Sequence, residues 1–280
     1  MAEGHSCSGN CSDCGDEKKQ SCEMRIDLSR IQHKIVVMSG KGGVGKSTVA
    51  VNLATSLALN GHRVGLLDVD IHGPSVPKML HLEGAALCAE NEKLLPVPVG
   101  DLKVMSIGFL LENQDDAVIW RGPVKIGVIK QFLSEVEWGD LDYLVVDCPP
   151  GTGDEPLSVC QMLLPEGDAG AVIVTTPQQV AAADVSRSLN FCRQLNFKVL
   201  GLIENMSGFV CPKCGEVTEI FSAGAGSALA ERYGVKLLGR IPIDPAVCSG
   251  GDAGTPFVHA SADGAAAKAF AKIVDEITGE

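Results

Sequence analysis

From residue 34 onward, short uninterrupted apolar runs alternate with longer stretches of helical periodicity. Ile35-Val36-Val37-Met38 has no polar break, the mark of a strand buried on both faces. Residues 47–59 then read as a helix stopped by Asn60-Gly61. Residues 64–69 and 102–107 are the next expected strands, and 124–136 a helix closed by Trp138-Gly139. The same reading gives strands at 143–146, 171–175, 199–203 and 235–241, and helices at 154–164, 181–195 and 223–233. A last helix is expected over 261–277, with Ser261 as its N-cap. Strands alternating with helices predict a doubly wound α/β fold, a mainly parallel sheet of about seven or eight strands with helices on both faces. Ligands of such folds bind at the carboxyl ends of the strands.

The first 22 or so residues break this rhythm. They hold Gly, Ser, Asp, Lys and four cysteines without apolar period, and a mixed stretch follows to His33. Two units are therefore expected: a cysteine-rich extension over 1–30, with a possible metal or cluster site, and one domain over 31–280. Of the 280 residues 45% are apolar, enough for a full core. The net charge of -12 repels phosphate backbones, which argues against a nucleic-acid partner. No apolar run is long enough to span a membrane, and the N-terminus lacks the apolar centre of a signal peptide, so no membrane partner and a cytoplasmic location are expected. Eleven cysteines in that reducing compartment point to metal or redox chemistry, not to a disulfide framework.

Gly40-Lys41-Gly42-Gly43-Val44-Gly45-Lys46-Ser47 fits the pattern G-x-x-x-x-G-K-[ST], between an expected strand and an expected helix. The glycines let backbone N–H groups approach phosphate oxygens, Lys46 adds a positive charge there, and the Ser47 hydroxyl can ligate Mg²⁺. The helix that Thr48 continues points its positive end at the anion. A nucleotide site with catalytic Lys46 is the consequence, and the chain is expected to be an ATPase. Leu66-Leu67-Asp68-Val69-Asp70 and Leu144-Val145-Val146-Asp147 are apolar strands ending in acids, able to orient an attacking water or hold the Mg²⁺ shell. Asp147 is the expected contact to Mg²⁺ through water.

Cys211-Pro212-Lys213-Cys214 is a C-x-x-C whose thiolates can share one metal or one cluster edge. Two ligands do not complete such a site, and a homodimer would supply four. Cys7, Cys11, Cys14 and Cys22 form a second set, sufficient for a [4Fe–4S] cluster within one chain and equally suited to zinc. His5 beside them reads as a free tail histidine. Cys88, Cys148, Cys160, Cys192 and Cys248 stand singly and read as structural core thiols.

Three features carry a resemblance. Lys41 inside K-G-G-V-G-K-S is similar to the deviant P-loop of the MinD/Mrp ATPases. The runs Asp68 to Ser75 and Pro149-Pro150-Gly151-Thr152-Gly153-Asp154 resemble that group's two switch regions. Met206-Ser207-Gly208-Phe209 ahead of Cys211 resembles the Mrp/ApbC iron–sulfur carrier ATPases. The likeness spans about residues 30 to 275. It implies an ATP-sandwiched homodimer in which Lys41 reaches the partner's nucleotide, Asp70 positions water and the Gly151 N–H senses the γ-phosphate. It further implies Asn205 at the adenine edge, Pro242 in the base-side wall, and Cys211 and Cys214 as ligands of a bridging [4Fe–4S] cluster passed to apo-proteins. A four-cysteine extension resembles the scaffold-type branch, although its first gap here is short. The alternative is a MinD-like positioning or partitioning ATPase with structural zinc at the cysteines. A membrane-bound form of it would need a basic amphipathic helix, and 265–280 is alanine-rich with an acid-ended polar face. Reductase chemistry of the nitrogenase iron-protein type is a third possibility.

Overall fold

The computed structural model describes residues 26–111, 120–211, 213–221, 223–260 and 264–279, without the side chains at 179, 180, 182 and 260. Eleven strands and nine helices are found among them. The strands are β1 (Ile31–Ser39), β2 (Val64–Asp68), β3 (Cys88–Glu90), β4 (Lys93–Leu95), β5 (Val97–Val99), β6 (Leu102–Ser106), β7 (Leu141–Asp147), β8 (Ala169–Thr175), β9 (Lys198–Val210), β10 (Val217–Thr218) and β11 (Leu237–Ile243). The helices are α1 (Lys46–Leu59), α2 (Val76–Met79), α3 (Gly122–Ser134), α4 (Asp154–Leu163), α5 (Gln179–Gln194), α6 (Ala225–Tyr233), α7 (Pro245–Asp252), α8 (Phe257–Ala260) and α9 (Ala265–Thr278).

Nine strands form one sheet in the order β10-β9-β8-β1-β7-β2-β6-β5, with β11 also paired to β9. Every pairing is parallel except β5 on β6 and β10 on β9. The doubly wound expectation holds, but the sheet exceeds the expected seven or eight strands. The additions are edge strands of two and three residues, too short to show a period. β3 and β4 make a separate hairpin.

Alternate residues of β1 enter two cores. Val36 and Met38 face Phe132 of α3, Val159 of α4 and Leu189 of α5, whereas Ile35 and Val37 face Val49 and Leu53 of α1 and Phe270 of α9. Leu28 is already buried in the first core, so packing starts ahead of the boundary drawn at residue 31. α1 is buried nearly all round because the sheet lies on one side and α8 and α9 on the other.

β9 extends seven residues beyond its expected end at 203. Its polar Glu204, Asn205 and Ser207 hide the strand from a pattern reading, and pairing with β11 sustains it. The last helix starts at Ala265 behind Gly264, not at 261, and Ser261 lies outside the described residues. α7 escapes the pattern because Ser249-Gly250-Gly251 has low helix propensity. It is started by Pro245 and by the Asp244 carboxylate, which accepts from Ala246 N at 2.9 Å. Among the described residues no helix is long and apolar enough to cross a membrane.

Candidate functional site

The phosphate loop joins β1 to α1 at the carboxyl edge of the sheet, and its shape depends on two glycines. A Cβ at Gly40 would meet the Asp184 backbone of α5 at 2.3 Å, and one at Gly45 would lie 2.3 Å from Asn205 Nδ2. Gly45 also has φ 81°, which favours glycine. Gly42 and Gly43 are exposed, Lys41 is half-buried and Val44 is buried. Ser39 Oγ closes the loop by donating to the Lys41 carbonyl at 2.9 Å.

Parallel register lines up the acids. Asp68 is level with Asp147 on β7 and with Ser106 on β6, while Val37 of β1 is level with Asp147 from the other side. Asp68 and Asp147 are fully buried. Lys46 bends into this row, its Nζ 2.5 Å from Asp147 Oδ1, 3.6 Å from Asp70 Oδ2, and donating to Ser47 Oγ at 3.2 Å. Burial alone would depress the Lys46 ammonium, but Asp147 beside it outweighs this and holds its pKa above the usual lysine value. Asp68 accepts from Asp70 N at 3.0 Å and from Ser106 Oγ at 2.9 Å. Burial, then the neighbouring Asp147, push Asp68 up to about 8. Asp147 Oδ2 is buried without a hydrogen-bond partner. An orphaned carboxylate oxygen beside the Ser47 hydroxyl is an all-oxygen donor set that fits a hard divalent cation.

The loop after β7 turns at Gly151, whose N–H donates to Ser39 O at 2.8 Å. It therefore faces the phosphate loop and is engaged in the form described. Lys125 of α3 links the loop after β2 to the start of α4, with its Nζ 2.8 Å from His72 Nε2 and 3.0 Å from Glu155 Oε1. His72 is exposed, yet it has this partner.

Beyond the loop lies a cavity of about 500 Å³. Gly45 and Thr48 form one wall, Asn205 and Met206 another, and Pro242, Val247 and Cys248 a third. Asn205 Nδ2 donates to Val44 O at 2.9 Å, which ties β9 to the phosphate loop. The phosphate loop, the acids and the cavity lined by Asn205 and Pro242 thus meet at one edge of the sheet. The sequence reading missed Ser106, Lys125 and the α7 wall. A polar residue at the carboxyl end of a parallel strand is a signal that would have flagged Ser106 as it flagged Asp68.

Cys211 and Cys214 sit in the turn between β9 and β10, Cys211 half-buried and Cys214 exposed. Cys211 N donates to Glu216 O at 2.9 Å and Gly215 N to Cys211 O at 2.9 Å. The Cys214 and Lys213 amides, with the Cys214 side chain, hold the Cys211 thiol below its usual pKa, which favours the thiolate a metal requires. Among the described residues no three His, Cys, Asp or Glu are grouped to hold a metal, so this pair needs further ligands. Cys7, Cys11, Cys14, Cys22 and His5 lie outside the described residues. Of the single cysteines, Cys148, Cys160 and Cys192 are buried, and burial raises Cys160 to about 12 and Cys192 to about 11. Cys88 and Cys248 are exposed, contrary to the core reading, because β3 is an outlying hairpin strand and α7 opens on the cavity.

A family model described as NUBPL iron-transfer P-loop NTPase matches residues 30–278. An iron-sulfur cluster carrier protein of Methanocaldococcus jannaschii is 49% identical, over 97% of this chain and 96% of its own. The cytosolic Fe-S cluster assembly factor NUBP2 of Bos taurus is 48% identical, over 91% of this chain and 95% of its own. A nucleotide-binding protein of Archaeoglobus fulgidus, solved with ADP, superposes with a TM-score of 0.72 at 44% identity, over 82% of this chain and 89% of that one. With that model matching residues 30–278 and relatives nearly half identical over most of the chain, the chain belongs to the NUBPL iron-transfer P-loop NTPase family.

Proposed function

We propose that this chain is an ATP-hydrolysing carrier that takes up an iron–sulfur cluster and passes it to apo-proteins. The observation that carries the reading is the thiol pair Cys211/Cys214, held in a turn on the same strand whose Asn205 bonds the phosphate loop. Two thiolates per chain leave a [4Fe–4S] cargo half-ligated, so a second copy supplies the other pair and the working unit is a homodimer. Cys7, Cys11, Cys14 and Cys22 of the extension over 1–30 form a second cluster site, and residues 31–280 are the ATPase. The relatives' names, a carrier and a cytosolic assembly factor, support a cytoplasmic location.

In hydrolysis, water attacks the γ-phosphorus and the bond to the β–γ bridging oxygen breaks, giving ADP and phosphate. Lys46 gives up Asp147 for the β- and γ-phosphates, and Asp70, 3.6 Å from the same ammonium, orients the water. Lys41 contributes its charge to the partner's nucleotide. Ser47 and, through water, Asp147 would hold Mg²⁺, with Asp68 behind them; when bound, Mg²⁺ would neutralise phosphate charge. Asn205 Oδ1 and Pro242 receive the adenine, and Gly151 exchanges the Ser39 carbonyl for the γ-phosphate. Turnover is slow, so hydrolysis times holding and release.

Iron, sulfide and zinc in anaerobically purified protein test this reading against Cys211→Ala/Cys214→Ala. About two irons and two sulfides per chain are expected to be lost in the double variant, from one cluster shared by two chains, while about four of each remain on Cys7, Cys11, Cys14 and Cys22. Zinc without sulfide would overturn the carrier reading. α9 already weighs against the membrane-positioning alternative, because Ala266, Phe270, Ile273 and Val274 are buried against β11 and α1.

A further inference from the structure

β9 places a nucleotide contact and a cargo ligand six residues apart. Asn205 bonds the phosphate loop and Cys211 opens the thiol turn, a span of at most about 20 Å. Between them the strand leaves regular geometry. Met206 has φ 58° and Gly208 φ 77°, and from Asn205 to Phe209 β9 advances four residues while β11 advances two, from Ile241 to Ile243. Such an irregularity bends a strand and re-aims the residues beyond the bend.

Glu204, fully buried next to this bulge, fixes it in place. Its Oε1 accepts from Ser207 Oγ at 2.7 Å and lies 3.2 Å from Arg240 Nε of β11. Its Oε2 accepts from Gly226 N of α6 at 2.7 Å. A Cβ at position 226 would come within 2.6 Å of Oε2, so α6 approaches this closely only with glycine there. One carboxylate thus ties the bulge to α6 and to β11, while its neighbour Asn205 ties the same strand to the phosphate loop. A buried carboxylate is retained only when its partners are in place, which makes the arrangement sensitive to a shift of any one of them.

We infer that Glu204 and Ser207 are positioning residues that convey the state of the phosphate loop along β9 to the Cys211/Cys214 turn. Nucleotide that moves Val44 moves Asn205, and the Ser207–Glu204 bond passes the change through the bulge to the thiols. The inference rests on the carrier reading for its biological sense, but not for its test.

The test uses the full chain, reduced and freed of metal, and tracks the iodoacetamide alkylation rates of individual cysteines by peptide mapping. Measurements are made without nucleotide, with ADP, and with a non-hydrolysable ATP analogue. Cys248 lines the base-side cavity, so its protection reports occupancy in the same sample. In the wild type, nucleotide is expected to change the Cys211 rate by about fivefold or more. Ser207→Ala is expected to keep Cys248 protection and lose the Cys211 response, and Ser207→Thr, which keeps the hydroxyl, to restore it. The inference is overturned if Ser207→Ala responds like the wild type, if the wild type shows no response while Cys248 is protected, or if Ser207→Ala loses Cys248 protection too. Absence of iron from the anaerobic protein would defeat the carrier reading and leave this result standing.

Discussion

At the residue scale the acid row is organised by one cation. Lys46 faces Asp147 at 2.5 Å and Asp70 at 3.6 Å, so Lys46→Ala removes the charge meant for phosphate and leaves the buried acids without a counter-ion. Phosphate release by this variant is expected to fall by about 10²–10³-fold or more. Ser106 acts one step back, through its 2.9 Å bond to Asp68. Ser106→Ala leaves Asp68 Oδ2 without that donor and is expected to cost about 1–2 kcal/mol in urea unfolding. Asn205 has its amide nitrogen committed to Val44 O, so Asn205→Ala removes a loop anchor and, in the proposed site, a base acceptor. Equal ATP and GTP affinities in wild type and variant would contradict its place at the base.

At the element scale α9 is the fastener of the nucleotide-loop face. Phe270 is buried against Phe257 with ring centroids 5.3 Å apart, between α1 and the sheet. Phe270→Ala is expected to lose about 3–5 kcal/mol of stability by urea titration. The opposite end of the sheet is tied by charge. Asp142 of β7 accepts from Arg63 N at 2.8 Å and Nη2 at 2.7 Å, and these bonds lower its pKa to about 2. A carboxylate depressed below its unfolded value near 3.8 contributes stability that is complete above that pH and fades as pH falls towards 2. Solvent screening at the exposed Arg63 limits the contribution to about 1 kcal/mol. Unfolding free energies between pH 2 and 6 are expected to fall less steeply in Asp142→Asn than in the wild type.

At the scale of the whole molecule, the proposed sharing of a cluster at Cys211/Cys214 requires two chains, because among the described residues that turn offers only two thiols. Sedimentation of the cluster-loaded protein is expected to give a dimer, and Cys211→Ala/Cys214→Ala without nucleotide a lighter species. A loaded protein that sediments as a monomer would contradict the shared-cluster geometry. The phosphate loop follows β1 and the thiol turn follows β9, both at the carboxyl ends of parallel strands in one sheet, so no second domain lies between them.

Apart from α2, the β3–β4 hairpin and the edge strands β5 and β10, the order of strands and helices from β1 to α6, the phosphate loop and the acids ending β2 and β7 were all legible in the chain. Each is a local event: an apolar run, a glycine-rich loop or a carboxylate closing a strand carries its own signal. The cysteine turn was legible as spacing. Only the tertiary structure decided the short edge strands, α7, and the extension of β9 through Glu204 and Asn205, since these are held by neighbours and not by their own periodicity. It alone placed Ser106 and Lys125 in the site, for their partners lie 38 and 53 residues away. Local patterning determines which elements form because backbone hydrogen bonding and side-chain alternation are short-range, while register and buried polar contacts are settled only when distant segments pack.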